Sequence, residues 1–158
     1  MLVRPARPEE WRALRALRLR ALEEDPRAFG RTLDEERAQP EAEWRERAFG
    51  PRNAIFVAER AGALVAMCGL HVEDDGALQL WGMWTAPEAR GAGVGRALVD
   101  AALAEARARG AARVHLWVNL QQAGAMRLYE RAGFERDGAP IQGTRDTTRT
   151  YQRMQARV

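Results

Sequence analysis

Residues 85–96 read Thr85-Ala86-Pro87-Glu88-Ala89-Arg90-Gly91-Ala92-Gly93-Val94-Gly95-Arg96. Three glycines stand at alternate positions between two arginines, with apolar segments before and after them. Because a glycine has no Cβ, the backbone N–H groups of such a loop can approach an anion closely. A helix predicted from Val94 onward would direct its free amide groups and the positive end of its dipole at the same place. The stretch therefore predicts a pocket for a phosphate or pyrophosphate group.

Two common phosphate-binding loops do not match this stretch. A P-loop needs a lysine after its last glycine to reach the β- and γ-phosphates, and the chain contains no lysine. A dinucleotide-binding loop has the spacing G-x-G-x-x-G directly after a strand, with an acidic residue about 20 positions further on. Here the spacing is G-x-G-x-G, Arg96 follows it, and Asn119 stands near the end of the next predicted strand instead of a carboxylate.

Two sequence blocks match one known family. The block Arg90-Gly91-Ala92-Gly93-Val94-Gly95-Arg96 resembles the R/Q-x-x-G-x-G/A signature with which the GNAT superfamily of N-acetyltransferases holds the pyrophosphate of acetyl-CoA. The block Leu128-Tyr129-Glu130-Arg131-Ala132-Gly133-Phe134 resembles the L-Y-E-x-x-G-F segment on the helix after the fifth strand of that family. One predicted helix and one predicted strand separate the blocks, as in the family. The resemblance covers most of the chain and is strongest from about Leu78 to Phe134.

The resemblance implies an α/β (α+β) fold with a mixed, mostly antiparallel central sheet of six to seven strands, flanked by about four helices. In the family, a bulge in the fourth strand and a splay between the fourth and fifth strands open the sheet. The element pattern agrees, from a first strand at 2–4 to final antiparallel strands at 134–137 and 145–154, with short helices interrupted at Pro40. Residues 1–158 are predicted to form a single GNAT-like acetyltransferase domain.

Composition excludes several classes of protein. The 46% hydrophobic and 30% charged residues are typical of an ordinary soluble domain. The formal net charge is only +3, and the arginines alternate with Asp and Glu, which argues against a nucleic-acid partner. The longest apolar run is far shorter than the roughly 20 residues that span a bilayer, so a cytoplasmic protein without a membrane partner is expected. One cysteine and two histidines do not supply a metal site.

The resemblance further implies an acetyl-CoA-dependent N-acetyltransferase, in which a primary amine attacks the thioester of the co-substrate acetyl-CoA directly. The expected coenzyme contacts come from the end of the fourth strand, the glycine-rich loop and two amides near the fifth strand: Met83, Trp84, Thr85, Arg90, Gly91, Ala92, Gly93, Val94, Gly95, Arg96, Asn119 and Gln122. An N–H of the fourth strand is expected to stabilise the oxyanion. Core packing is a second interpretation of Met83 and Trp84, and the two are compatible.

Tyr129 is the expected general acid. The family places a tyrosine at this position near the coenzyme sulfur. A phenol with a pKa of about 10 is protonated at neutral pH, so it can donate a proton to the departing thiolate. The alternative is that Tyr129 is an aromatic core residue on an amphipathic helix.

The sequence does not identify a general base. Many relatives have a glutamate in the fourth or fifth strand, but Trp117 stands at the matching position of strand five, and strand four has no carboxylate. The family walls its acceptor site with the region that here contains Asp34, Glu35 and Glu36. These acids are candidates to attract a cationic amine or accept its proton, the alternative being a solvated helix face. His71, at a strand end, is either a proton relay or an edge residue.

Two other functions stay open at this point. One is a protein N-terminal acetyltransferase with the same fold, and the other is a catalytically silent module that binds acyl-CoA. Acetylation of an amine separates the silent module from both enzymes. The resemblance also leaves a homodimer open, because dimers are common in the family.

Overall fold

The computed structural model describes all 158 residues. The strands are β1 (Leu2–Pro5), β2 (Asn53–Arg60), β3 (Ala63–Val72), β4 (Leu78–Thr85), β5 (Arg113–Asn119), β6 (Glu135–Arg136), β7 (Ile141–Gln142) and β8 (Thr150–Arg157). The α-helices are α1 (Trp11–Glu24), α2 (Leu33–Arg37), α3 (Glu41–Phe49), α4 (Val94–Ala108) and α5 (Ala123–Arg131). None of these helices is long and apolar enough to cross a membrane.

All eight strands form one sheet in the order β1-β2-β3-β4-β5-β8-β6, with β7 paired to β8. Only β4 and β5 run parallel, and every other neighbouring pair is antiparallel. The mixed, mostly antiparallel sheet of the prediction is therefore confirmed, with eight strands rather than six or seven. The two-residue β7 is the strand that the sequence pattern missed.

The last strand begins later than predicted, at Thr150 instead of 145. Asp146 explains the shift, because its carboxylate accepts a hydrogen bond from the Thr148 backbone N–H at 3.0 Å. Its own carbonyl accepts one from the Arg149 N–H at 3.2 Å. These bonds close a turn, and an Asp side chain that bonds the backbone two residues on favours such turns over strands.

The helices before β2 form as their local signals predict. The apolar positions of α1 recur at helical spacing and are buried: Trp11, Leu14, Leu17, Ala21 and Leu22. Helix α2 starts at a capping box, in which Thr32 Oγ1 accepts from the Glu35 N–H and the Glu35 carboxylate accepts from the Thr32 N–H. The predicted interruption at Pro40 is confirmed, because Pro40 is the N-cap of α3.

Helix α4 packs its apolar face on the sheet and so fixes where its N-terminus lies. Its buried positions are Val94, Leu98, Val99, Ala102, Leu103 and Ala106. They belong to a single apolar core of 33 buried residues that also includes β2–β5 and β8. Burial of this stripe holds the first turn of α4 rigidly beside the end of β4.

The sheet opens between β4 and β5. These strands pair only at Leu78–Val114 and Gln79–His115, after which they diverge. On the other side of β4, the single residue Cys68 of β3 faces two residues, Gly82 and Met83. Gly82 has a φ of +64°, a left-handed conformation that glycine adopts without strain. Both the bulge and the splay that the resemblance implies are therefore present.

Candidate active site

The opening between β4 and β5 leads into a cavity of about 1590 Å³. Most of the site residues predicted from the sequence line this cavity: Glu36, Met83, Trp84, Thr85, Arg90, Gly91, Gly93, Val94, Gly95, Arg96, Asn119, Gln122 and Tyr129. Three predicted residues do not line it: Ala92, Asp34 and Glu35. Ala92 and Asp34 are exposed, and Glu35 is half-buried. The volume is larger than the 300–1,000 Å³ of a typical small-molecule site, so it can hold a large coenzyme and an acceptor together.

One end of the cavity is a candidate anion cradle formed by Gly91 and Gly93. Their φ angles are +81° and +76°, and no atom lies within 4 Å of where a Cβ would stand on either residue. Gly93 is the N-cap of α4, and no side chain caps the helix there. The N–H groups of its first turn are therefore available to a ligand, together with the positive end of the helix dipole.

Gly95 has a different role from the other two glycines. A Cβ on Gly95 would stand 3.1 Å from Leu128 Cδ2, which is tighter than an ordinary contact. The missing side chain therefore lets α4 pack closely on α5, and this packing brings the helix that carries Tyr129 toward the cradle.

Two arginines flank the cradle and are held in place by the protein. Arg90 donates to the Thr85 carbonyl at 2.9 Å and to Asp25 Oδ2 at 2.9 Å. Arg96 donates to Asp100 Oδ1 at 2.9 Å and to the Arg131 carbonyl at 2.7 Å. Each side chain is about half exposed, at 50% and 48%. Both guanidinium groups thus retain surface with which to meet a pyrophosphate.

Replacing Gly93 with glutamate is expected to raise the Kd for CoA at least about tenfold, ~1.4 kcal/mol. The added carboxylate would repel the phosphates at the helix N-terminus, and a side chain at a φ of +76° strains the loop. Gly110→Glu is the matched control, because Gly110 has a φ of +78°, equally open space and a position beyond the other end of α4. Isothermal titration measures both. An unchanged Kd for Gly93→Glu would discard the assignment of the phosphate loop.

The end of β4 supplies backbone to the cavity and side chains to the core. Trp84 is 4% exposed, and its indole N–H donates to Asp25 Oδ2 at 2.7 Å, the same oxygen that Arg90 contacts. Beyond Gln79 the β5-facing edge of β4 has no partner strand. Unpaired backbone groups in this position can bond a ligand that enters the opening.

Tyr129 is buried against the cavity wall, with only 7% of its surface exposed. Its ring meets Phe134 edge-on, with the centroids 5.8 Å apart. Burial raises the pKa of the Tyr129 phenol above its ordinary value, and the neighbouring Cys68 thiol adds to this. The hydroxyl therefore keeps its proton at neutral pH. Both interpretations of Tyr129 hold for its position, since it packs in the core and also lines the cavity.

The two amides differ in availability. Asn119 is 3% exposed and uses its amide within the chain, since Nδ2 donates to the Arg27 carbonyl at 3.1 Å and Oδ1 accepts from the Gln121 N–H at 3.0 Å. Its role here is to join β5 to the segment after α1. Gln122, the N-cap of α5, makes no capping hydrogen bond with its side chain. Gln122 is the better placed of the two to contact a coenzyme.

The three candidate acids at the acceptor wall are separated by the fold. The Asp34 side chain is 95% exposed. Glu35 forms an ion pair with Arg145, with a shortest oxygen–nitrogen distance of 2.6 Å, and this pair lowers the pKa of Glu35. Glu36 has 0% exposure and pairs with Arg18 and Arg47, so it does not lie on a solvated helix face. No free carboxylate from this set faces the cavity.

His71 lies in the cavity wall and is oriented by a chain of hydrogen bonds. Its Nδ1 is 2.7 Å from Asn53 Oδ1, and Asn53 Nδ2 donates to the Glu46 carbonyl at 3.0 Å. Since a carbonyl only accepts, the amide of Asn53 must present its oxygen to His71. In the neutral imidazole of His71 the proton is therefore on Nδ1, and Nε2 carries the lone pair. Asn53 was missed from the sequence, because a strand-end Asn resembles an ordinary turn residue.

Trp117 is partly exposed to the cavity, whereas His115 and Cys68 are buried in the core. Trp117, the strand-five residue in place of a glutamate, is 42% exposed and lines the cavity. His115 and Cys68 are buried, as expected of structural residues. Burial raises the pKa of the Cys68 thiol to about 12, so it is unreactive at neutral pH.

Comparison with known proteins identifies relatives along most of the chain. The model of the acetyltransferase (GNAT) family matches residues 11–134. A mycothiol acetyltransferase of Thermobispora bispora is 38% identical over 84% of this chain and 44% of its own length. One of Beutenbergia cavernae is 37% identical over 82% of this chain and 41% of its own length. The chain thus spans less than half the length of these relatives.

Solved structures share the fold. A ribosomal-protein-alanine N-acetyltransferase from Brucella melitensis superposes with a TM-score of 0.80 at 24% identity, over 100% of both chains. The acetyltransferase yncA from Salmonella typhimurium, solved with acetyl-CoA, has a TM-score of 0.81 at 21% identity, over 99% of this chain and 93% of its own. With a family match across most of its length and relatives more than one-third identical, this chain belongs to the acetyltransferase (GNAT) family.

Proposed function

We propose that the chain transfers an acetyl group from acetyl-CoA, the co-substrate of its family, to a primary amine by direct attack. One observation carries the proposal: the anion cradle at the start of α4, the bulged end of β4 and Tyr129 all line one cavity. With the pyrophosphate of acetyl-CoA bound in the cradle, the unpaired edge of β4 is free to bind the arm of the coenzyme that ends in the thioester. Such backbone groups fix a ligand's position without using side chains.

Acetyl-CoA supplies an acyl group that is activated by its bond to sulfur. As the amine nitrogen bonds to the acyl carbon, the bond from that carbon to sulfur breaks, and the nitrogen loses a proton that the sulfur ultimately gains. A β4 backbone N–H near the bulge stabilises the charge on the acyl oxygen, a contribution of about 3–4 kcal/mol for one well-placed donor. Tyr129 donates the proton to sulfur, since burial keeps its phenol protonated.

His71 is the proposed base. Its Nε2 lone pair is fixed by the bond from Nδ1 to Asn53, and the residue lines the same cavity. His71 lies opposite Gln79, the last residue of β4 that pairs with β5, so it stands beside the point where the sheet opens. The charged neighbours Arg52 and Asp74 neutralise each other at 2.8 Å. The imidazole takes the ammonium proton directly or through water.

His71→Gln is expected to lower kcat about 100-fold at pH 7, within the usual range for loss of a general base. The deficit should shrink as the pH rises toward the pKa of the acceptor ammonium, because a neutral amine no longer needs the base. His115→Gln is the control, as His115 is the second histidine and lies outside the cavity wall. A deficit that is constant with pH would assign His71 a structural role only.

The test of the proposed function has two steps. Isothermal titration with acetyl-CoA, CoA, ATP and NAD should show micromolar binding of the CoA ligands alone. An acetylation assay then presents small primary amines, peptides with free N-termini and the acceptor of the mycothiol acetyltransferases. Peptide-selective acetylation would indicate a protein N-terminal acetyltransferase, and CoA binding without acetylation of any amine would indicate a silent acyl-CoA module.

A further inference from the structure

A buried cluster of two arginines and one glutamate joins the three helices at the acceptor side of the cavity. Arg18 of α1 is 3.2 Å from Glu36 Oε1 of α2, and Arg47 of α3 is 2.9 Å from Glu36 Oε2. Arg18 is 7% exposed and Glu36 is 0% exposed. All three residues line the cavity. In the folded protein, one carboxylate therefore serves two guanidinium groups.

The donors of this cluster are not all satisfied. Arg18 Nη1, Arg47 Nη2 and the indole Nε1 of neighbouring Trp81 are buried nitrogen atoms with no hydrogen-bond partner. Glu36 Oε2 also makes no hydrogen bond, although it lies 2.9 Å from Arg47 Nη1 as an ion pair. Buried polar groups are nearly always paired, so an unpaired guanidinium nitrogen requires an explanation. Arg47 has a second carboxylate, Glu43, at 3.6 Å, whereas Arg18 has Glu36 alone. Arg18 therefore has fewer carboxylate partners than Arg47.

Arg18 lies at the bulge where the sheet opens. Its guanidinium carbon is 4.3 Å from the centre of the Phe29 ring and 5.8 Å from that of Trp81, so the two rings hold the group in place. Arg18 Nη1 is 3.6 Å from where a Cβ would stand on Gly82, the bulge residue next to Met83. An immobilised guanidinium group with one unpaired nitrogen therefore stands beside the strand end proposed to hold the thioester.

We propose that the acceptor is a small amine that also carries a carboxylate near its nitrogen, as an amino acid does, and that Arg18, assisted by Arg47, binds this carboxylate. The inference rests on the proposed acetylation of an amine. Two acids of α3, Glu43 and Glu46, also line the cavity. Neither forms an ion pair with Arg18, whose only carboxylate partner is Glu36. The carboxylate supplies an acceptor for the unpaired Arg18 Nη1, and a nearby amine then lies at the opening of the sheet.

The test compares matched pairs of acceptors: glycine with glycinamide, and other L-amino acids with their amides. At saturating acetyl-CoA, kcat/KM for the acid is expected to exceed that for the amide by about ten- to hundredfold, the usual worth of hydrogen bonds to a charged group. Equal or greater kcat/KM for the amides would overturn the carboxylate assignment and leave amine acetylation standing. Failure to acetylate either member, with no binding of N-acetylglycine to the CoA-loaded protein, would also overturn the carboxylate assignment, and only failure across the whole amine panel would overturn the proposed acetylation.

Arg18→Gln should abolish the preference for the acid, so that the acid and the amide of each pair give kcat/KM values within about threefold of each other. Arg12→Gln is the matched control, an exposed arginine of the same helix that does not line the cavity. Titration of N-acetylglycine and N-acetylglycinamide into the CoA-loaded protein gives a readout independent of turnover. A preference for the acid that survives in Arg18→Gln would remove Arg18 from the site.

Discussion

Tyr129→Phe is expected to lower kcat by about 10²- to 10⁴-fold, the range for loss of a general acid, with no change in the Kd for acetyl-CoA. The phenol proton is needed only as sulfur leaves, whereas the ring packs on Phe134 in either form. Burial raises the pKa of Tyr129, so the proton is present throughout the neutral range. Single-turnover kinetics with a saturating amine, together with isothermal titration of acetyl-CoA, separates the chemical step from binding.

Tyr151→Phe removes the same atom from the second tyrosine of the chain, which also lines the cavity. Its effect on kcat should be less than about threefold, because Tyr151 lies on β8 and not in the L-Y-E-x-x-G-F block. Equal kcat for the wild type and Tyr129→Phe would leave Tyr129 a core residue. An alternative donor, such as a water in the cavity, would then protonate the thiolate.

Glu36→Gln is expected to lower the free energy of unfolding by about 3–5 kcal/mol, the usual loss when one member of a buried ion pair is removed. Without the carboxylate, buried Arg18 loses its only ion-pair partner and is left beside Arg47, which keeps Glu43 at 3.6 Å. Urea denaturation followed by circular dichroism measures the change. A shift in midpoint at constant m-value identifies a loss of stability.

Asp34→Asn provides the matched control for this measurement, since it neutralises an acid on the same short helix. The Asp34 side chain is 95% exposed, and its contact with Arg37 is 3.8 Å long. Its effect should stay within about 0.5 kcal/mol, as for most surface substitutions. If Glu36→Gln unfolded no more easily than Asp34→Asn, the two arginines would have to be neutralised by other groups.

The sequence predicts the geometry of the glycine-rich loop well because that geometry depends on local features. A left-handed glycine at the start of a helix, such as Gly93, and a block such as 128–134 carry their geometry within a few residues. The cradle and the position of Tyr129 in the cavity wall follow from them. The sequence does not separate Gly95 from its neighbours, because its contact with Leu128 crosses between two helices.

The acceptor end could not be predicted because its contacts join residues far apart in the chain. Glu36 stands among Asp34, Glu35 and Arg37, which is the pattern of a solvated helix. Only the packing of α1, α2 and α3 buries it between two arginines. Of the three acids considered from the sequence, only Glu36 lines the cavity, and it is shared there by Arg18 and Arg47. The order of charges along the chain does not show which of them lose their solvent.

The short pairing of β4 with β5 divides the sheet into two halves that are joined by only two residue pairs. One half is β1–β4 and the other is β5–β8. Between them, β4 and β5 pair only at Leu78–Val114 and Gln79–His115. A coenzyme bound in the opening would contact both halves of the sheet and restrict their relative motion. Hydrogen exchange at the facing edges should therefore slow on binding, and the melting temperature should rise with coenzyme concentration. Coenzyme binding would thus make the opening of the sheet more rigid and the folded protein more stable.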